Sequence, residues 1–524
     1  MKIKTALIVD NSSINEWQQQ ALDYSLDYLD IRLILNCDNI KKKMKTYFNF
    51  FSILDFFLLK NYFTKKINIK FEGVKIINFE PIIYNEKLLN LPPNIVKAIK
   101  EHEIKLVINF GISLLCINDE LVGYDIISYY HGYSEFFRGK PIGFYELYQN
   151  VESITTIVQK LSNLSEKVEI LACQHSKIFH YSYKKTIKNL YKNSIYLLRR
   201  AIINYININS ETVKINKLAY NYRLPSNLTV IKFLFTLLYR KLLRLVYGAF
   251  YEKKWNIVKL NGIDDIKNIS LEGGLIPKIK KGYIFYADPF FSVDGKKIRV
   301  EALNAKSGLG EIVEMDSENL VTNSTILKNL HYSYPYSFCE SGKEYIIPEV
   351  ASHSSPYLLM EPFDSTCKWL LEGLKDKRLV DCSLIKYNDV YYLFCSNDKD
   401  SNDCLYLYYS TNILGQYISH PLNPIVVDPK SARMAGRIYN SDGKIYRVGQ
   451  NNCYGYGAGI TINEICELSI DSYYERSIGN IFFREVCGPH TLDIKNDSVV
   501  ADFYVDKFDI LAGYRRIYAK LNRK

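Results

Sequence analysis

The sequence predicts a multidomain chain, an α/β region followed by an all-β region, with a basic helical connector between them. Three observations predict it: strands alternate with helices to about residue 180, a lysine- and arginine-rich helical stretch fills 181–254, and short strands recur in a repeating pattern over 255–524. A length of 524 residues with 48% hydrophobic composition suffices for several cores. The 44 Tyr and 26 Phe either fill those cores or offer flat faces to a ligand.

Thr5–Asp10 reads as a buried strand, Asn11 or Ser12 as an N-cap, Ile14–Leu26 as an amphipathic helix and Ile31–Leu35 as a second strand. A Phe- and Lys-rich insertion covers 36–70. Beyond it come a strand at Val74–Phe79, a helix opening at Pro92-Pro93 and running to about Glu103, and a strand at Leu106–Phe110. Such alternation argues for a mostly parallel sheet. No G-x-G-x-x-G follows the first strand, so a dinucleotide fingerprint is absent. The apolar run Ala6–Val9 is too short for a signal-peptide core, and a cytoplasmic location is expected. Eleven cysteines stand singly with no C-x-x-C pair, which points to neither a disulfide framework nor a metal site.

The stretch from Ile126 to Leu147 carries the first candidate chemistry. A strand-like run, Ile126 to Tyr129, ends in His131-Gly132, and a polar loop leads to Arg138-Gly139-Lys140-Pro141 and the aromatic turn Phe144-Tyr145. A histidine just past a strand's C-terminal end lies where open α/β sheets place their chemistry. This stretch resembles the signature of the formyltransferase family, in which a strand ends in Asn-x-His and an Arg-Gly pair follows a short loop. His131 stands at the family's histidine, Arg138-Gly139 at its Arg-Gly, and Tyr129 where the family has asparagine. Counting back from Ile170-Leu171 puts Glu166 at the family's aspartate and Val168 at its glycine. The resemblance covers residues 1–180. It implies a Rossmann-like formyltransferase domain, 10-formyltetrahydrofolate as cofactor, and His131 with Glu166 as the catalytic pair, Tyr129 or Asn109 supplying the remaining donor. An amine attacking a formyl carbon builds negative charge on oxygen, which imidazole or amide donors stabilise while a carboxylate orients the imidazole and helps remove the proton.

Net charge is +11, and Gln174–Lys254 alone holds 16 Lys and Arg against Glu211 and Glu252, a balance of +14. The basic character therefore belongs to the connector. Within it Leu228–Tyr239 is almost wholly apolar and is followed at once by Arg240, Lys241 and Arg244. A span needs about 20 apolar residues, and Lys232 interrupts this run. Residues 228–244 read either as an interfacial helix on a membrane surface or as a core helix. No recognition motif accompanies the charge, so nucleic acid is not an expected partner.

From 255 onward a turn followed by an alternating strand recurs at 294–303, 341–350, 388–397, 442–451 and 496–505, with starts 47, 47, 54 and 54 residues apart. Another strand precedes each turn, opening at Asp288, Tyr334, Asp381, Ala435 and His490. Five four-stranded units of this length suit a five-bladed β-propeller, whose first strands line a central channel. Asp288, Asp381, Arg433, Arg437 and His490 then converge at one end of it, with Glu301, Glu349 and Gln450 on neighbouring strands. This region resembles arabinanase-type glycosidases, and more closely the propeller domain that precedes the transferase domain of plant glucosamine inositolphosphorylceramide transferases. The matching residues are Ala287-Asp288-Pro289-Phe290, His331 to Pro335, Ile347-Pro348-Glu349, Val380-Asp381, His420 to Pro424, Ala432-Arg433 and Ala435-Gly436-Arg437.

The sequence-based expectation is thus a formyltransferase-like domain at 1–180, a connector at 181–254 and a propeller at 255–524. Function is expected to be group transfer in surface-polysaccharide biosynthesis at the inner face of the membrane. The formyl acceptor would be an amino sugar on a sugar nucleotide or lipid-linked glycan, held by the propeller. Two alternatives stand beside it: glycosyl transfer or hydrolysis by Asp288, Glu349 and Asp381, with Arg433 and Arg437 meeting an anionic group, and a non-catalytic glycan-binding scaffold.

Overall fold

A computed structural model describes residues 2–522 apart from 11, 38–48, 59–61, 70, 85–87, 112–122, 133–136, 140, 162–166, 209, 210, 215–219, 263–268 and 351–354. The chain divides into two compact units, Met1–Lys241 and Leu242–Lys524. The expected connector is therefore shared between them. Its first helix, Tyr183–Ile206, is a core element of the first unit: Leu197, Leu198, Ala201 and Ile202 are buried against Leu7, Ile34 and Leu106.

In the first unit the strands Lys75–Phe79, Leu29–Cys37, Ile3–Asp10, Leu106–Asn109 and Asp125–His131 lie side by side in that order, all parallel. Ser153–Lys160, Lys167–Lys177 and Glu211–Lys214 extend the sheet antiparallel. Ala6–Val9 is fully buried, as a central parallel strand covered on both faces must be. The first helix starts later than the apolar pattern suggests. Ser13–Asn15 is a short strand, and Asn15 with Gln18 closes a capping box that fixes Glu16–Asp23 as the helix. From the 36–70 insertion, Phe51 and Leu54 are buried with Phe144, Tyr183 and Phe233.

The second unit is built of antiparallel sheets. Three of them cover Tyr283–Leu327, Tyr332–Leu370 and Leu379–Val427. The remaining strands form one seven-stranded sheet, in which the four strands of Arg433–Ile481 meet Leu492–Lys495, Ser498–Phe508 and Tyr251–Asn261 through a single parallel bridge, Gly436–Leu492. Tyr251–Asn261 pairs with Ser498–Phe508 along its whole length, so the unit's first and last strands are neighbours. The repeated turns all carry left-handed residues: Gly295, Ser341-Gly342, Asn388-Asp389, Asp442-Gly443 and Asn496. Gly, Asn and Asp at these places meet the φ > 0 demand of tight hairpins.

A second repeated feature positions the site. The first strand of three sheets is interrupted by a bulge, between Ala287 and Phe290, Ser333 and Tyr336, and Val380 and Ser383. At each bulge one residue sits on left-handed backbone inside the strand: Asp288 (φ 49°), Tyr334 (φ 46°) and Asp381 (φ 51°). Such backbone costs a non-glycine residue on the order of 1 kcal/mol and persists where the surroundings over-determine it. Its effect is to re-aim the side chain. Two of the three are carboxylates.

Candidate functional site

Asp288 and Asp381 anchor two halves of one cluster. In the first half, Asp502 is fully buried and accepts three backbone N–H bonds, from Asp288 (3.1 Å), His490 (2.9 Å) and Thr491 (3.0 Å). His490 lies between two carboxylates, Nδ1 at 2.6 Å from Asp502 Oδ2 and Nε2 at 3.3 Å from Asp288 Oδ1. The Thr491 hydroxyl donates to Asp288 Oδ1 at 2.7 Å. Burial works against charge on His490, but Asp502 and Asp288 outweigh it and raise its pKa. Burial raises that of Asp288, with His490 opposing.

In the second half, Glu349 Oε2 accepts the backbone N–H of Asp381 at 3.2 Å. Asp381 Oδ2 in turn accepts from Arg433 Nε and, at 3.2 Å, from Gln450 Nε2. Burial first, and the adjacent Asp381 charge second, raise the Glu349 carboxyl well above the ordinary range, although Arg433 pulls the other way. Tyr456 links the halves: the Arg433 guanidinium lies 5.3 Å over its ring, and its edge meets His490 at 4.9 Å, with Trp255 4.3 Å from His490 on another side. Asp288, Asp381 and His490 are buried, whereas Glu349 and Arg433 are half-buried and Tyr456 is 40% exposed. A ligand would meet the last three. Gln450 Oε1 and both side-chain amide atoms of Asn452 are buried with no hydrogen-bond partner among the described residues.

Asp288, His490 and Asp502 each offer a ligand atom within 4.8 Å of one another, and they form the only such group found among the described residues. The hydrogen bonds just given occupy much of the same donor capacity. The other predicted residues stand apart from this network. Glu301 is buried, 3.9 Å from His331 Nε2. Arg437 is spent on structure: Nε and Nη2 hold the two oxygens of fully buried Asp493 at 3.0 and 3.2 Å, and its remaining donors reach the carbonyls of Ser337 and Phe291. Asp493, Asp502, Trp255 and Tyr456 were not singled out by sequence. The available signals were an acid inside an apolar strand for Asp502 and a Gly-flanked aromatic loop, Tyr454 to Gly457, for Tyr456.

In the first unit, His131 ends its strand beside the neighbouring strand end at Asn109. Its ring packs against Trp17 (5.4 Å), Tyr129 (5.8 Å) and Tyr191 (5.3 Å). Nδ1 lies 3.2 Å from the Thr156 hydroxyl, and Nε2 is buried with no partner among the described residues. The Tyr129 hydroxyl is committed to the Ser194 carbonyl at 3.0 Å, and Asn109 Oδ1 accepts from Gly111 N–H at 3.2 Å. Arg138-Gly139 forms a short strand parallel to Tyr220–Tyr222, the Arg138 side chain lying outside the described residues, as does Glu166 altogether. The carboxylate found here is Glu146, which sequence reasoning passed over. It is buried, and a Cβ at Gly132 would come 2.8 Å from its Oε1, so the glycine makes room for it. Burial pushes its pKa up to about 7. A cavity of about 400 Å³ in this unit lies elsewhere, at the other end of the strands from His131, lined by Lys105, Asp125, Lys160, Glu169 and Tyr205.

Burial holds the His131 pKa down at about 4, against 6.5 for an ordinary histidine. Between these values the unfolded chain binds a proton that the folded chain refuses. The His131 contribution to the stability of the first unit should therefore be constant above about pH 6.5 and fall by up to about 1.4 kcal/mol per pH unit as pH drops toward 4, while buried Glu146, its pKa raised to about 7, contributes with the opposite sign over the same range. His131→Phe should flatten part of that slope in thermal melts taken from pH 7.5 to 4.5. An unchanged slope would show that His131 is not the group that titrates.

The class defined by fold and site is a two-unit protein, α/β then β-sheet repeats, with Asp288, Asp381 and Arg433 on first strands of repeats and Glu349, His490 and Asp502 gathered beside them. Residues 274–489 match the family model described as glucosamine inositolphosphorylceramide transferase 1, N-terminal. The rice glucosamine inositolphosphorylceramide transferase 1 (Oryza sativa subsp. japonica) is 29% identical over 205 residues, covering 36% of this chain and 27% of that protein. The chain thus spans about a quarter of the length of this relative. Among solved structures, a formyltetrahydrofolate deformylase from Pseudomonas putida KT2440 aligns with 40% of this chain and 66% of its own, at 14% identity and a TM-score of 0.27. A GH43 β-1,3-galactosidase aligns with 42% of this chain and 56% of its own, at 14% identity and a TM-score of 0.29.

Proposed function

We propose that the chain is a carbohydrate-active transferase whose reaction takes place at the Glu349–Asp381–Arg433 cluster of the second unit, on a lipid-linked or nucleotide-activated sugar of surface-glycan biosynthesis. The observation that carries this reading is Glu349, a half-buried carboxyl whose pKa is raised well above the ordinary range by burial first and by the adjacent Asp381 second, Asp381 being itself bonded by Arg433 and Gln450. In the transfer an acceptor hydroxyl attacks the anomeric carbon, the bond from that carbon to its leaving oxygen breaks as the Glu349 proton passes to that oxygen, and the acceptor's own proton goes to solvent, from which Glu349 is reprotonated. Asp381 tunes that proton, and the exposed Tyr456 ring stacks the sugar. The sugar and lipid in the name of the matching plant family support the substrate class. Counting the seven-stranded sheet as two blades makes the unit a five-bladed propeller with this cluster on its channel.

A second reading, formyl transfer from 10-formyltetrahydrofolate to an amino sugar in the first unit, is favoured by the unpartnered Nε2 of His131. With Nδ1 accepting the Thr156 hydroxyl, Nε2 carries the hydrogen and can donate to a formyl oxygen. Glu146 takes the proton-accepting role expected of Glu166. The bound folate would supply the formyl carbon. The two readings separate in one experiment. Lysates of a host lacking the gene, complemented with wild type, Glu349→Gln or His131→Ala, are compared for glycan and lipid-linked sugar products by mass spectrometry. Loss with Glu349→Gln and retention with His131→Ala supports the first reading, and the reverse pattern, with a formyl mass missing, supports the second. Full products from both variants would sink catalysis at either site and favour a glycan-binding scaffold.

A further inference from the structure

We infer that the second unit carries a membrane-docking platform formed by the end of the Asn227–Phe250 helix together with the C-terminal helix Ala512–Asn522, and that its partner is an anionic lipid surface. This step does not depend on where the chemistry lies. Large apolar side chains normally stand singly on a surface; a contiguous exposed group marks an interaction site. Here Leu245 is 63% exposed, Phe508 58%, Ile510 73% and Tyr514 66%. They belong to one patch because the segments that bear them are bonded together. Phe250 stacks on Phe508 with centroids 6.1 Å apart, and Arg516 donates to the Gly248 carbonyl at 2.6 Å. The small Gly513 lets the helix settle on Ala249, where a Cβ would come 3.0 Å from the carbonyl oxygen.

Charge selects the occupant. Within the second unit, the stretch 242–254 holds Arg244, Lys253 and Lys254 against Glu252, and the stretch 506–522 holds Lys507, Arg515, Arg516 and Lys520 against Asp506 and Asp509. The nearest acids are engaged within the unit: Glu252 and Asp509 pair with Arg515, and Asp506 accepts the Tyr247 hydroxyl. Apolar side chains set among an excess of bases, with the neighbouring acids already bonded within the unit, complement an anionic bilayer interface. A protein partner burying the same patch would have to desolvate those bases or supply acids for them. No helix of the described residues is long and apolar enough to cross a membrane, so this contact is with the surface.

The test is co-sedimentation of the full chain with vesicles of phosphatidylcholine alone or with about one third phosphatidylserine. Binding is expected to the anionic vesicles only, and to weaken in high salt as surface electrostatics are screened. Arg244→Gln with Lys507→Gln should weaken it about thirtyfold, at roughly fivefold per neutralised base near the surface. Leu245→Glu with Tyr514→Glu should abolish it while leaving the thermal unfolding of both units unchanged. No binding to anionic vesicles, or equal binding by all variants, would overturn the proposal. So would a concentration-dependent dimer in light scattering that the Glu variants dissociate, since a second copy would then be what covers the patch.

Discussion

Asp493→Ala is expected to destabilise the second unit by about 3–5 kcal/mol, the range found when one partner of a buried ion pair is removed. Asp493 is fully buried and accepts from four donors at once: Arg437 Nε and Nη2 at 3.0 and 3.2 Å, the Phe291 backbone N–H at 2.8 Å, and the Tyr439 hydroxyl at 3.0 Å. These partners come from different sheets, Phe291 from the first and Arg437 and Tyr439 from the last. Without the carboxylate, the guanidinium stays buried without its counter-charge and the Phe291 N–H loses its acceptor, each a desolvation cost with nothing to offset it. Asp493→Asn, which keeps an acceptor, should cost less than Asp493→Ala. Urea unfolding followed by tryptophan emission measures both, with Trp255 reporting on this unit and Trp17 on the other. A loss below about 1 kcal/mol for the alanine variant would mean that water reaches Arg437 and that the pair is effectively a surface one.

The α/β half was legible because its strands are continuous apolar runs with helices between them, a pattern that buried parallel strands require. Periodicity set the first helix too early, since it cannot see the local bond between Asn15 N–H and Gln18 Oε1 that decides where a helix begins. The helix at Tyr183–Ile206 looked like a connector because its surface is basic, yet its buried stripe, Leu197 to Ile202, covers the sheet. Charge described its exposed face and hid its packing. In the β half, the repeat placed the turns and the first strands, and so brought Asp288, Asp381, Arg433 and His490 to one region. It could not say which cation serves structure and which faces a ligand. Arg433 and Arg437 are four residues apart on one strand, and only the cross-sheet partners, Asp381 for one and buried Asp493 for the other, distinguish them. Asp502 stayed hidden for a related reason: it works by holding two backbone N–H groups of the bend at His490 and a third from Asp288, a long-range relation that no local spacing records.

Glu349→Gln is expected to lower turnover by roughly 10²- to 10⁴-fold, the usual contribution of a positioned acid or base, with little change in stability. The substitution preserves shape and keeps an oxygen for the Asp381 N–H, so a purely structural Glu349 would tolerate it. What is removed is the transferable proton. Because burial and the Asp381 charge raise the Glu349 pKa, the reactive protonated form persists above the pH at which ordinary carboxyls have ionised. Turnover that depends on this proton should be full below the raised pKa and decline as pH rises through it. Weakening the field of Asp381 should move that limb. In Asp381→Asn the neighbouring negative charge is gone, Glu349 ionises more readily, and the alkaline limb shifts to lower pH, provided that the Arg433 contact survives in part. A pH–rate profile of wild type and Asp381→Asn on a common sugar donor separates the proposed role from simple structural damage, which lowers the plateau without moving the limb. An unmoved limb, or turnover by Glu349→Gln equal to wild type, would remove Glu349 from the chemistry and favour the reading at His131 and Glu146.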